Sequence, residues 1–280
     1  MQYRKLERRL PAMFGLAIAL TLALSSPLAA KPPKARKTAK AKAPSAQVVT
    51  AAKLMASSKR EDVEAGIQSL GLLGTAEATP PLTERIRAGL PPDLLQTAIL
   101  TLVALGQKEA GPVLLELSSH RRAAVRVQAI EAIASLNPDG AEAALSAALS
   151  DSDAKVRAAA ANALGTIGAK GALPRLFTAL DGGNMEASGA IGKLIDGTEV
   201  SRLMAYLGKT PFQVLASALG ETLQRPDVDV SVKLQIVARM EEVGTREVKA
   251  FLGDLMGVAG DALGQKVSRA ILRAMQEIPD

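Results

Sequence analysis

The sequence predicts an all-α fold in which about six to seven helical hairpins stack side by side. Three observations lead to this prediction. Apolar residues recur at the three- and four-residue steps of a helix, and glycine and proline lie between the apolar segments. Equivalent residues then recur about every 31 positions along the chain. With 280 residues, 48% of them apolar, the chain is long enough to bury a core.

The segment from Asp153 to Leu180 is the clearest copy of the repeated unit. Its first helix has one apolar face, made of Val156, Ala160, Ala161, Leu164 and Ile167. Asp153 is suited to cap the free N–H groups at the start of that helix, and Gly168 to the left-handed turn that ends it. The second helix is predicted to begin near Pro174, because proline is tolerated in the first turn of a helix.

Shifting this unit along the chain recovers its key positions in other copies. The column of Leu164 contains Leu70, Leu102, Ile133, Leu164, Ile191 and Met240. The turn column contains Gly74, Gly106, Asn137, Gly168 and Gly244, and asparagine is the next-best residue at positive φ. The second-helix column contains Leu82, Leu114, Leu145, Leu176, Leu203 and Leu252. The first four copies are spaced by 32, 31 and 31 residues, which predicts a tandem repeat.

The repeated unit resembles the HEAT repeat in its short bacterial form, also called phycobilin-lyase-like. The resemblance is carried by Val156-Arg157, by Leu164-Gly165-x-Ile167-Gly168 and by Ala172-x-Pro174-x-Leu176. It extends over residues 60–280 and is strongest over 60–180. It implies a right-handed α-solenoid, an alpha-alpha superhelix of the HEAT and armadillo kind, whose second helices line a concave side. Such repeats cannot bury their apolar faces alone and need neighbours.

Residues 1–30 have the features of an export signal. Arg4, Lys5, Arg8 and Arg9 precede the apolar stretch 12–24, and Ala29-Ala30 offers small residues for cleavage. The expected location is therefore outside the cytoplasm, in the periplasm or secreted. The alternative is an uncleaved N-terminal membrane anchor.

Residues 31–46 are predicted to form a disordered linker rich in lysine, alanine and proline. The segment contains six basic residues, no acidic residue and no large apolar residue. It is either a plain spacer or a tether to an anionic envelope surface. Residues 1–46 contain ten of the 34 basic and one of the 28 acidic residues, so residues 47–280 carry a formal net charge of −3. Nucleic acid is therefore a poor candidate partner.

Residues 47–280 are predicted to form the repeat domain. Residues 47–58 are expected to be a capping helix, with Val48, Val49, Ala52 and Met55 on its apolar side. Regular repeats are predicted over 60–182 and an irregular region over 183–227, where a turn glycine moves to Gly197 and Pro211–Gln224 is a degenerate repeat without a clear second helix. A repeat and a cap are predicted over 228–280, with a hairpin over Asp229–Met256 and a last helix over Asp261–Glu277.

The residues offer no constellation for catalysis, cofactor binding or metal binding. There is no cysteine, and the one histidine, His120, is expected to be solvated or to cap a helix. The glycines lack phosphate-loop spacing, and Gly71, Gly165 and Gly192 share one column that suggests close helix approach. Asp153, Arg157, Arg126 and Lys233 are expected to form a polar ladder between repeats.

These observations favour a non-enzymatic exported scaffold or adaptor that binds another protein through its repeat surface. No small-molecule substrate or cofactor is expected. One alternative is a bilin-lyase-like or other enzyme accessory protein, and another is an electrostatic adaptor that acts through residues 31–46. The candidate partner-binding residues lie at exposed positions of the second helices and are Glu84, Glu116, Arg175, Arg202 and Asp254.

Overall fold

The structure is a computed structural model that describes residues 44–279. Fifteen α-helices, and no β-strand, are present in this part of the chain. In chain order they are α1 (Ala46–Met55), α2 (Arg60–Leu73), α3 (Thr79–Ala88), α4 (Pro92–Leu105), α5 (Gly111–Leu117), α6 (Ala123–Leu136), α7 (Ala141–Ala148), α8 (Ala154–Thr166), α9 (Leu173–Asp181), α10 (Glu186–Leu194), α11 (Val200–Met204), α12 (Phe212–Gln224), α13 (Val230–Val243), α14 (Arg246–Leu263) and α15 (Gln265–Glu277). The expected export signal and most of the basic linker lie outside the described residues.

The helices alternate between two rows. In the first row α2, α4, α6, α8, α10, α12 and α14 each pack against the next member. The helices between them form the second row, which is α1, α3, α5, α7, α9, α11, α13 and α15. From α2 onward each first-row helix and the helix after it make a hairpin, giving seven hairpins in the described residues, so the predicted all-α solenoid of stacked hairpins is confirmed.

The four regular repeats form as the sequence predicts. Asp153 caps α8 by accepting a hydrogen bond of 2.8 Å from the Lys155 N–H. Pro174 lies in the first turn of α9. Asn137 has a φ of 43°, which places it in the left-handed region, and the glycines in its column share that conformation at Gly74, Gly106 and Gly168. Helix endings and starts were predictable here because cap, turn and proline signals agree.

The predicted apolar columns are the core of the array. Every member of the first-helix column is fully buried, with 0% of its surface exposed: Leu70, Leu102, Ile133, Leu164 and Ile191. The same holds for the second-helix column over Leu82, Leu114, Leu145, Leu176 and Leu203. Each fully buried leucine contributes roughly 1.5–3 kcal/mol, so these two columns supply a large share of the favourable free energy of folding.

The order of the rows departs from the prediction after α10. The sequence predicts a degenerate repeat without a clear second helix over 211–224, followed by a hairpin over 229–256. In the structure α12 packs against α10 and α14, whereas α13 packs against α11 and α15. The hairpin is therefore α12 with α13, and α14 returns to the first row. The prediction was wrong because Met240 and Gly244 end α13 with the same apolar spacing and turn glycine as a first helix.

This shift changes the assignment of several predicted residues. Leu252 is buried, but it lies on α14 and continues the first-helix column, and Asp254 lies on the first row with it. Lys233 lies on α13, in the second row, so it is not part of the ladder formed by Arg126 and Arg157. Burial lowers the pKa of the Lys233 amine, and the nearby Asp227 carboxylate opposes that shift.

Three boundaries also differ from the prediction. The last helix begins at Gln265, because Gly264 has a φ of 76° and separates it from α14. Gly197 is not in the left-handed region, and α10 ends before it, at Ile195, which has an extended backbone conformation. The Ile195 carbonyl accepts a hydrogen bond from the Arg225 guanidinium. In α1 the buried residues include Ala51, while Val49 is 40% exposed.

The first-row helices approach most closely at a small-residue column, as the sequence suggests. A Cβ added to Gly192 would lie 2.5 Å from the Ala218 carbonyl oxygen and 2.8 Å from its Cα. At Gly165 it would lie 3.2 Å from the Ala190 Cα, and at Gly71 it would lie 3.1 Å from a Thr101 methyl group. Only a residue without a side chain fits against the neighbouring backbone at Gly192.

A polar ladder joins neighbouring repeats at the start of the first-row helices. The Arg126 guanidinium donates to the Asp151 carboxylate at 2.6 and 2.8 Å and to the His120 carbonyl at 2.9 Å. One repeat later, Arg157 donates to the Asp151 and Ser152 carbonyls at 2.8 and 3.1 Å. These arginines satisfy carbonyl groups in the junctions between hairpins, which would otherwise lack partners. The ladder is confirmed for Arg126 and Arg157, with Asp151 as the carboxylate.

We expect Gly192→Ala to lower the free energy of unfolding by about 1–3 kcal/mol, because the new methyl group overlaps the α12 backbone. The matched control is Gly257→Ala on α14, where nothing lies within 4 Å of an added Cβ. That substitution should be neutral or should stabilise the helix by up to ~1 kcal/mol. Urea unfolding followed by circular dichroism measures both changes. Equal effects of the two substitutions would contradict the close approach.

We expect Asp151→Asn to destabilise the protein by about 1–3 kcal/mol at neutral pH, because it removes the charged acceptor of Arg126. Burial acts to raise the pKa of Asp151, but hydrogen bonds from Arg126 and from the Asp153 N–H outweigh it and lower the pKa. The carboxylate therefore stabilises the fold above the ordinary aspartate pKa of about 3.9, and this contribution is lost as pH falls through the lower folded value.

The measurement is urea unfolding of both proteins from neutral pH down to acid, where the difference between them should shrink below about pH 4. Glu242→Gln is the control, since its pair with Arg239 is exposed and should contribute less than about 0.5 kcal/mol. A difference that stays constant down to strong acid would show that Asp151 does not act through its charge.

Candidate interaction surface

The second row presents one exposed position per helix just beyond its buried leucine. The residues two positions after the leucine column are all exposed, and they are Glu84, Glu116, Ala147, Thr178 and Ala205. We call these five residues the outer strip. Because each helix is held by a fully buried leucine, the outer strip is a set of side chains with fixed backbone positions on successive helices.

Four of the five predicted partner-binding residues lie on the second row. Glu84 is on α3, Glu116 on α5, Arg175 on α9 and Arg202 on α11, and all four are exposed. Asp254 is also exposed, but it lies on α14 in the first row and is therefore separate from them. Whether any of them contacts a partner stays a prediction.

Glu116 is engaged by the neighbouring second-row helix. The Arg87 guanidinium on α3 donates two hydrogen bonds to its carboxylate, at 2.8 and 3.0 Å. The hydrogen bonds from Arg87 lower the pKa of Glu116. Both side chains are about half exposed, so the pair contributes little stability, but it neutralises the charge of Glu116.

Arg202 belongs to an aromatic cluster between α9 and α11. Its guanidinium carbon lies 4.0 Å from the centroid of the buried Phe177 ring, a cation–π contact. The Tyr206 ring stacks on Phe177 at 6.1 Å, and its hydroxyl donates to Asp181 at 2.7 Å. Burial, followed by the hydrogen bond to Asp181, raises the pKa of Tyr206. Arg202 is thus partly committed to intramolecular packing.

Glu84 lies beside an open hollow between α1 and α3. The hollow has a volume of about 350 Å³ and is otherwise lined by Ala52, Met55, Ala56, Pro81, Arg85 and Ala88. Arg85 donates to the Gly89 carbonyl at 2.6 Å, which holds it near the end of α3. Among the described residues the Glu84 carboxylate has no hydrogen bond or ion pair, so its charge is available to solvent or to a partner.

Arg175 lies in a second hollow, between the end of α7 and α9. This hollow, which we call the Arg175 hollow, has a volume of about 300 Å³. Its lining residues are Ser146, Leu149, Ser150, Arg157, Arg175, Thr178, Ala179, Gly182 and Asn184. Asn184 is almost buried and donates to the Arg157 carbonyl at 3.4 Å, so the ladder arginine and the hollow are part of one arrangement.

Sequence reasoning missed most residues around Arg175. Ser146 and Ser150 lie at and beyond the end of α7, where no repeat column marks them. Asn184 occupies the position that Arg157 holds one repeat earlier, which the sequence could have indicated by its 27-residue offset. Tyr206 was missed because the α11 segment has only five helical residues and no helical period to read.

Residues that could be mistaken for catalytic groups have structural roles. The His120 Nδ1 accepts a hydrogen bond of 3.1 Å from the N–H of Arg122, the residue before α6, so its side chain closes the turn that leads into the helix without capping the helix itself. Within residues 44–279, no group of three or more histidine, aspartate or glutamate side chains is placed to hold a metal ion.

None of the described helices combines the length and apolar character needed to cross a membrane.

Comparison with known proteins gives one family match and several structural likenesses. Residues 112–186 match the family model for HEAT repeats. The complex of CpcE and CpcF of phycocyanin lyase from Nostoc sp. PCC7120 has 17% identity and a TM-score of 0.44, with 88% of this chain and 100% of that chain covered. A designed armadillo repeat protein in complex with peptide (KR)4 has 17% identity and a TM-score of 0.41, with 82% and 100% covered.

An engineered protein has 18% identity and a TM-score of 0.44, with 82% of this chain and 68% of that chain covered. At these identities and scores, what those proteins bind or catalyse does not transfer to this chain. No curated protein matches it. The matched segment 112–186 runs from the first turn of α5 to the start of α10 and spans the two most regular hairpins. The family match is thus to the HEAT repeats over residues 112–186, and in the described residues the helical hairpins stack in two rows around shared leucine columns.

Proposed function

We propose that this protein is a non-enzymatic scaffold or adaptor that binds another protein through its second row. The observation that carries the proposal is the outer strip, in which an exposed side chain lies two residues beyond a fully buried leucine on α3, α5, α7 and α9 and at the C-cap of α11. A surface held in this way loses little conformational entropy on binding, because its backbone is ordered in the free protein.

The charges of the second row favour a protein partner over a polyanion. Acidic residues lie at its start, with Glu84 and the neutralised Glu116, while Arg175 and Arg202 lie further along. Mixed signs of this kind provide orientation and specificity in protein recognition. Of the four, Glu84 and Arg175 are the better candidates for contact, since Glu116 pairs with Arg87 and Arg202 stacks on Phe177.

We also propose that the protein acts outside the cytoplasm, in the periplasm or as a secreted protein. Support comes from the basic residues of 4–9, the short apolar stretch 12–24 and the small residues at 29–30. The basic segment 31–46 would then separate the repeat array from the cleavage site, as a spacer or as a weak contact to an anionic surface.

We expect a photo-crosslinking amino acid at Ala147 or Thr178 to capture a partner from an envelope extract. The matched controls are Glu131 on α6 and Asn162 on α8, which are equally exposed but lie on the first row of the same hairpins. Adducts should form from the second-row positions and not from the first-row positions, because only the former lie on the proposed contact surface. Mass spectrometry identifies the captured protein.

Adducts from the first-row positions alone, or no adduct from any position, would contradict a second-row contact. A purified protein that carries a visible chromophore or turns over a substrate would contradict the non-enzymatic part of the proposal. Charge reversal at Glu84 and at Arg175 should weaken capture, and the same change at the exposed Glu131 of first-row helix α6 should not.

We expect the native protein to be recovered from the periplasmic or extracellular fraction with an N-terminus that begins close to residue 31. N-terminal sequencing after fractionation measures this. An intact Met1 on a cytoplasmic product would contradict export, and an intact Met1 in the membrane fraction would indicate the uncleaved anchor instead.

A further inference from the structure

We propose that the Arg175 hollow binds a carboxylate carried by an acidic segment of the partner protein. This inference rests on the proposed function, because it names the chemistry by which part of the second row would recognise that partner. It starts from the side chains that line the hollow, which contribute positive charge and hydroxyl groups but no carboxylate.

The two guanidinium groups of the hollow have unused donors. Arg175 is exposed, and it makes no hydrogen bond or ion pair with any described residue. Arg157 uses only its Nη1 for the carbonyls of Asp151 and Ser152, which leaves its Nε and Nη2 without acceptors among the described residues. A planar guanidinium matches a carboxylate with two parallel hydrogen bonds, so this geometry suits an acidic side chain.

Three carboxylates on the chain segments that adjoin the hollow accept hydrogen bonds from other groups. Asp151 accepts both hydrogen bonds of its Arg126 pair, and Asp153 caps the start of α8. Asp181 accepts the hydroxyl proton of Tyr206. None of the three lines the hollow, and each accepts hydrogen bonds from other groups, so the unused donors of Arg157 and Arg175 are left for an acceptor that a partner supplies.

Two helix ends weaken the positive charge at the hollow. Both α7 and α9 end at the hollow, and a helix C-terminus carries roughly half a negative elementary charge. The terminal carbonyls also have partners, as Thr178 and Ala179 accept the N–H groups of Gly182 and Asn184 at 3.0 and 2.9 Å.

The hydroxyl groups complete a site for an acceptor. Ser146 and Ser150 have no side-chain hydrogen bond within the described part of the chain, and Ser150 is exposed at the mouth of the hollow. A hydroxyl can donate to a carboxylate oxygen without a change of backbone position. The volume of about 300 Å³ admits one acidic side chain with its neighbouring backbone.

The test uses the full chain and a fluorescently labelled oligoglutamate peptide, with an oligoglutamine peptide of the same length as the neutral probe. Fluorescence anisotropy at an ionic strength on the order of 0.15 M gives both dissociation constants. Arg175→Gln should weaken oligoglutamate binding about tenfold, because a charge-assisted pair is lost. Ser150→Glu should weaken it to a similar extent, since its own carboxylate would compete for the arginines.

The control is the double substitution Arg121→Gln and Arg122→Gln, which removes two exposed charges from the loop before α6 and should change the affinity less than about twofold. The basic residues of 31–42 are present in every variant, so they cannot create a difference between them. Circular dichroism melting confirms that each variant is folded. Equal weakening by the control, or unchanged affinity for Arg175→Gln and Ser150→Glu, would overturn the inference.

The two proposals fail in different ways. If the crosslinked partner binds Arg175→Gln and Ser150→Glu as well as it binds the unchanged protein, the carboxylate site is wrong and the scaffold function stands. If oligoglutamate depends on Arg175 while no protein is captured on the second row, the site stands and the proposed function is wrong.

Discussion

The structure depends on one constraint, which is that no hairpin in it can bury its own apolar face. Each first-row helix carries a residue of the Leu164 column that is fully buried, yet a single hairpin has only two helices with which to cover it. The remaining cover comes from the hairpins on either side, so stability is shared between neighbours. The same constraint requires covers at the ends, which α1 provides against α2 and α15 provides against α13 and α14.

Sharing faces in this way sets how closely the first-row helices must approach. Glycine inside a helix costs about 1 kcal/mol relative to alanine, but a side chain at Gly192 would collide with the backbone of α12 at a cost of about 1–3 kcal/mol. The cost of the steric overlap exceeds the helix-propensity cost of glycine, which explains why glycine occurs inside the helix at this position. The polar ladder of Arg126 and Arg157 works at the same junctions and satisfies the carbonyls that the stacked hairpins enclose.

The sequence predicts the regular half of the fold because several local signals coincide there. Over residues 60–182 the turn residue and the leucine column agree in all four repeats, and a first-turn proline begins the second helix in three of them. After residue 183 only the apolar spacing remains. Any amphipathic helix that ends in glycine satisfies that spacing, so Met240 and Gly244 gave the wrong row for α13. The row of a helix is decided by its neighbours, and those are contacts that residue spacing does not record.

The exposure of the candidate surface residues was also predictable from the repeat pattern. Exposure of Glu84, Glu116, Arg175 and Arg202 follows from their distance to a buried leucine on the same helix, and all four are exposed. Availability for a partner is different, because it depends on residues about 25–30 positions away on the next helix of the row. Arg87 neutralises Glu116, and Phe177 holds Arg202, whereas Glu84 and Arg175 have no such neighbour among the described residues. The stacking that buries the leucines therefore also decides which surface charges are left for recognition, and the interaction surface is a property of adjacent repeats and not of any single one.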